Sequence, residues 1–123
     1  MTQRKTGFHW ESKAMLWLEQ QGLSQCQRNF HCRMGELDLI MREQDTLVFV
    51  EVKYRSRTDF GSALESISWH KQQRLIRTAE FFLIKNPQFS QLPCRFDVIA
   101  IEANNNEPGK EEITWLKNAF DLS

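Results

Sequence analysis

Residues 47–53, Leu-Val-Phe-Val-Glu-Val-Lys, constrain the fold more than any other stretch of this chain. Successive side chains of a strand point to opposite faces. A run that is apolar on both alternations must therefore be buried on both. Residues 36–42, Glu-Leu-Asp-Leu-Ile-Met-Arg, repeat the pattern, and the polar Glu43-Gln44-Asp45-Thr46 between the two runs reads as a hairpin turn. Such a sheet needs cover on each side, and the chain carries two helical patterns to supply it. Over residues 9–21, Trp10, Ala14, Trp17 and Leu18 fall at i, i+4, i+7 and i+8, and Gly22 marks the stop. Over residues 63–85 the apolar stripe is Leu64, Ile67, Leu75, Ala79 and Phe82, closed by Asn86-Pro87.

Residues 28–33 read as a short strand before the hairpin, and 95–102, Arg-Phe-Asp-Val-Ile-Ala-Ile-Glu, as a strong one after the second helix. Residues 104–109 form an exposed loop, and 113–116 a final edge strand. The order is helix, three strands, helix, strand and a short C-terminal piece. The expected class is α/β, a sheet between helices. With no repeat or linker in 123 residues, the chain is expected to be one domain, 1–123, large enough to bury a core unaided.

Composition excludes several classes. Apolar residues make up 41% and charged residues 26%, ordinary for a globular protein. No run approaches the roughly 18 apolar residues of a membrane span, and no apolar segment follows the basic N-terminus as in a signal peptide. Cys26, Cys32 and Cys94 are an odd number with no Cys-x-x-Cys spacing, which argues against a disulfide framework and a structural zinc site. A reducing, cytoplasmic setting is the expectation. The net charge of zero counts mildly against a protein that coats nucleic acid. Yet the cations cluster: Lys53, Arg55 and Arg57 alternate, and Lys71, Arg74 and Arg77 recur every three residues. An acidic site flanked by basic patches gives the same zero.

The hairpin places chemistry in one spot. With a two-residue turn at Gln44-Asp45, Glu43 faces Thr46, Asp38 faces Glu51, and Glu36 faces Lys53. Opposed residues share a face with Cβ atoms roughly 4.5–5.5 Å apart. Two carboxylates so close, at the end of a buried sheet, repel each other and are poorly solvated. A hard divalent cation, Mg²⁺ or Mn²⁺, relieves both problems. Lys53 could hold or deprotonate a water there. Glu11 flanks the apolar stripe of the first helix, and Lys71 falls on the inward stripe between Ile67 and Leu75. A one-residue register slip would send Asp38 and Glu51 to opposite faces. Bland readings compete: Glu36 with Lys53 as a weak surface ion pair, Lys71 as a snorkelling lysine, Glu11 as a solvated helix residue, and Trp10 and Trp17 as core. His9, His31 and His70 have no ligand spacing.

The set formed by Gly7, Glu11 and Ala14, Arg28-Asn29, Gly35-Glu36-Leu37-Asp38, Phe49-Val50-Glu51-Val52-Lys53 with Arg55, Phe60-Gly61, Lys71 and Arg95-Phe96-Asp97-Val98 resembles the YraN-like family of small bacterial proteins. Through it, the chain is similar to the PD-(D/E)XK nuclease superfamily, in its Holliday-junction-resolvase-like branch. The resemblance implies a restriction-endonuclease-like αβββαβ core with a mixed central sheet. It further implies Glu11, Asp38 and Glu51 as metal ligands, Lys53 as the residue serving the attacking water, and Lys71 as a helix-borne residue beside the site. Trp10 departs from the family, which usually has glycine there.

Three functions stay open on the sequence. The first is a Mg²⁺-dependent (or Mn²⁺-dependent) endonuclease on DNA, including branched or structured DNA, with Arg55, Arg57, Lys71, Arg74 and Arg77 along the nucleic acid. The second is a nucleic-acid-binding protein of the same fold with little or no catalysis. The third is an adaptor whose charged patch is an ion-pair network. A homodimer is compatible with resolvase-like cutting of paired strands, and no membrane partner is expected.

Overall fold

A computed structural model describes residues 3–55, 67–103, 107 and 109–120, with the backbone alone for residues 3–8. The elements are α1 (Gln3–Gln20), β1 (Ser24–Cys32), β2 (Gly35–Glu43), β3 (Thr46–Arg55), α2 (Trp69–Lys85), a 3₁₀ turn (Pro87–Phe89), β4 (Cys94–Glu102) and β5 (Glu112–Phe120). The five strands form one mixed sheet in the order β1-β2-β3-β4-β5. β3 and β4 run parallel, joined through α2, while the other neighbours are antiparallel. This is an α/β fold consistent with a restriction-endonuclease-like core. No described helix is long and apolar enough to cross a membrane.

β3 is the central strand, as its two-faced apolar pattern demands. Leu47 and Phe49 join Ile40, Phe96 and Val98 under Leu75, Ala79 and Phe82 of α2. Val48 and Val50 join Leu39, Met41, Ile99 and Ile101 under Ala14 and Leu18 of α1. Each helix therefore covers one face. Gly22 ends α1 at φ 102°. Its N–H donates to Glu19 O and that of Leu23 to Leu18 O, and buried Leu23 closes on Leu18.

Several boundaries differ from the sequence expectation. β1 begins at Ser24, and β5 extends over Glu112–Phe120. α2 starts at Trp69, because Ser68 is extended and its side chain accepts the Lys71 N–H at 3.1 Å. Residues 63–66 of the expected helix, Leu64 included, lie outside the described residues, as does Arg57. Ile67 precedes the helix but is still buried in the core. Trp10 and Trp17 pack against the α1-side core, as structural side chains should.

Candidate active site where two strands part

The β2/β3 hairpin has the expected register, Glu43 opposite Thr46 through Leu39 opposite Val50. The next pair would be Asp38 and Glu51, and there the ladder stops. β2 continues along β1 to Gly35, and β3 continues along β4 to Arg55. The Asp38 carboxyl takes the place of the missing strand-to-strand bond, accepting the Val52 N–H at 2.9 Å. The end of the ladder also admits a residue from the far helix. Glu11 of α1, on the opposite face of the sheet from α2, comes close enough to Asp38 to share hydrogen bonding and charge with it.

Glu51 is buried and is pushed up to about 8, first by its burial and then by the Asp38 carboxyl beside it, with Lys71 and Lys53 pulling the other way. Glu11 is raised to about 7 by burial and by Asp38, opposed by Arg28. Arg28 reaches to 4.0 Å of Glu11 Oε1, an oxygen that is buried without a hydrogen-bond partner. Lys71 Nζ lies 3.4 Å from Glu51 Oε1. Burial pulls Lys71 down, but Glu51 and the neighbouring Lys53 and Asp38 outweigh it and hold its pKa above the usual lysine value. Lys53 moves the opposite way. Burial and the adjacent Lys71 lower its pKa, against the pull of Glu51 and Asp38.

Glu11, Asp38, Glu51, Lys53 and Lys71 are thus brought together. Glu36 is not part of this group in the way the register suggested. The pairing ends before it can face Lys53, and its exposed carboxylate meets His31 Nδ1 at 3.1 Å instead. Arg55 is half-buried and pairs with Glu102 at 3.6 Å. Arg74 and Arg77 are exposed on α2 and make no ion pair among the described residues. Sequence reasoning gave Arg28 no role. Its position opposite Leu39 places it on the α1 face beside Glu11, a relation that needs the β1/β2 register.

Among the described residues, no three His, Cys, Asp or Glu side chains stand ready to hold a metal ion. What suits a divalent cation is the chemistry of the donors. Glu51 is buried and Glu11 half-buried, both carboxyls have pKa values raised toward neutrality or above, and Glu11 has an unpartnered buried oxygen. A cation could replace those protons.

The comparisons with known proteins bear on the whole chain. A UPF0102 protein of Alcanivorax borkumensis is 45% identical over 119 residues, covering 97% of this chain and 94% of that protein. One of Legionella pneumophila is 47% identical over 121 residues, 98% of each chain. One of Pseudomonas putida is 47% identical over 111 residues, 90% of this chain and 89% of that protein. Pyrococcus furiosus SfsA, solved in complex with Ca²⁺, aligns at 15% identity and a TM-score of 0.34. That alignment covers 85% of this chain and 58% of SfsA, and at that level neither fold nor function follows from it. The model of the uncharacterised protein family UPF0102 matches residues 10–101, spanning α1 through β4 and every acidic and basic residue gathered at the strand fork, and the chain belongs to that family.

Proposed function

We propose that this protein is a divalent-metal-dependent endonuclease that hydrolyses phosphodiester bonds of DNA, branched or structured DNA included. The observation that carries this reading is the meeting of Glu11, Asp38, Glu51 and Lys53 where β2 and β3 stop pairing, with two carboxyls whose pKa values are pushed to about 7 and about 8. Glu11, Asp38 and Glu51 are the residues that would hold Mg²⁺ or Mn²⁺. When bound, such an ion supplies a polarised phosphoryl oxygen and a more acidic water. Lys53, its ammonium disfavoured by burial and by Lys71, is suited to orient that water and accept its proton. Lys71 steadies Glu51 and offsets charge on the phosphate. Arg74 and Arg77, exposed on α2, would follow the backbone, so binding should weaken steeply with salt.

The test is purified protein with Mg²⁺ or Mn²⁺ on four-way junction, flap, duplex and single-stranded DNA. Cleavage that Asp38→Ala and Lys53→Ala each abolish is the expected result. A second reading, a nucleic-acid-binding protein of this fold without catalysis, draws on the absence of three ready ligands among the described residues. It expects salt-sensitive binding and no cleavage with either metal.

A further inference from the structure

Beside the strand fork, the turn into β2 and the first half of α2 enclose a pocket of about 200 Å³. Met34 and Leu75 give it apolar surface, while Lys71, Arg74 and Glu36 give it polar edges. Lys71 belongs to both places, since its ammonium lies 3.4 Å from Glu51. The pocket therefore adjoins the site through Lys71. Its wall is built by a close approach. Gly35 has φ 153°, and a Cβ there would meet Thr78 Oγ1 at 3.1 Å. Glycine thus lets the β1–β2 turn lie against α2.

Resting on the nuclease reading of the site, we infer that this pocket takes an unpaired nucleobase of the substrate, next to the phosphate to be cut. The volume is below the roughly 300 Å³ at which pockets for drug-sized ligands begin, so the occupant is small. A phosphate would engage only Lys71 and Arg74, and would leave the apolar faces of Met34 and Leu75 unfilled beside the Glu36 carboxylate. A base matches on every side. Its flat faces rest on Met34 and Leu75, its ring nitrogens or carbonyls accept from Lys71 and Arg74, and an exocyclic amine donates to Glu36. Arg74 is available for this, having no ion pair among the described residues. A fully paired duplex cannot present a base in this way. The substrate class is DNA with an unpaired nucleotide at the cut: a bulge, a flap base or a junction branch point.

The test compares wild-type protein, without divalent metal, on duplexes that carry one bulged nucleotide and on duplexes with an abasic residue at the same bulge. Fluorescence anisotropy should show roughly 10-fold tighter binding to the base-bearing bulge, the scale on which a single base contact acts. Met34→Trp, which fills the pocket, should remove that preference and leave affinity for fully paired duplex unchanged. Bulged 2-aminopurine, which needs no variant, should brighten on binding as it leaves the stack. Equal affinity for the two bulges, a preference that Met34→Trp leaves intact, or unchanged 2-aminopurine emission overturns the inference. Metal-dependent cleavage together with any of these overturns the pocket alone. Failure to bind any DNA overturns the nuclease reading as well.

Discussion

Asp38 accepts the Val52 backbone N–H at 2.9 Å, so a single side chain both ends the β2/β3 ladder and brings an acidic group to the fork. Structure and chemistry meet in that carboxyl, and a substitution can separate them. Asp38→Asn keeps an oxygen to accept the Val52 N–H and removes the charge that Glu11 and Glu51 resist. The variant should unfold at or above the wild-type temperature. Its cleavage should fall by more than the roughly 10–100-fold typical of residues that only support a metal site. Thermal unfolding and single-turnover cleavage, run side by side, check both halves.

The metal-free protein should lose stability as pH rises. Glu51 and Glu11 have folded pKa values of about 8 and about 7, above the ordinary 4.5. Between those limits the native state holds protons that the unfolded chain has released, so stability falls with pH. The favourable balance is complete below about 4.5 and is gone once pH passes through about 8. For the buried Glu51 alone, at about 1.4 kcal/mol per pKa unit, the loss is of order a few kcal/mol. Urea midpoints between pH 5 and 9 should decline for wild type and decline less for Glu51→Gln. Mn²⁺ should offset the decline, because it binds the deprotonated carboxyls.

Much of this was legible in the residues. The two-faced apolar pattern of 47–53 made β3 central, and Gln44-Asp45 fixed the hairpin register from Glu43 opposite Thr46 onward. Asp38 and Glu51 followed from that register. The end of the ladder did not, because a side chain capping a backbone N–H leaves no periodic signal. For the same reason Glu36 looked like a partner of Lys53 when it pairs with His31. The start of α2 was missed because the apolar stripe runs back through Ile67, whereas Ser68, the capping residue, sets the boundary. Arg28 and the pocket depend on contacts between elements far apart in sequence.

Asp97 lies in β4 and bonds to residues of β4 and β5. It is fully buried, and it accepts from Arg95 Nε at 3.0 Å, Trp115 Nε1 at 2.8 Å and the Asn118 N–H at 2.9 Å. Asn118 sits at φ 53° where β5 slips its register against β4, so the carboxylate pins that irregularity. Asp97→Ala strands the Arg95 guanidinium except for Glu43 at 2.9 Å. It should cost about 3 kcal/mol, the low end for breaking a buried pair. Urea unfolding should show this, while the protein that remains folded keeps its cleavage rate per molecule.

Gly35→Ala should destabilise through both backbone and space. The residue has φ 153°, and its new methyl would press on Thr78 Oγ1, which already donates to Arg74 O at 2.7 Å. A loss of more than about 1 kcal/mol is expected, read as a lower urea midpoint. Because the turn would shift away from α2, the preference for a bulged base should weaken more than duplex binding does.

Lys53 can act by moving a proton or by supplying charge alone, and Lys53→Arg tells these apart. A guanidinium keeps the positive charge and cannot give up its proton in a protein. Lys53 instead has a lowered pKa, with burial and Lys71 disfavouring its ammonium. If it takes the proton of the attacking water, its neutral form is the active one, and cleavage should rise with pH until that form dominates. Lys53→Arg should then lose at least roughly 100-fold in cleavage, within the range for a general base, and lose the rising limb of the pH profile. DNA binding without divalent metal should be retained. Near-wild-type cleavage by Lys53→Arg would assign the residue to charge stabilisation, leaving proton transfer to a water held among Glu11, Asp38 and Glu51.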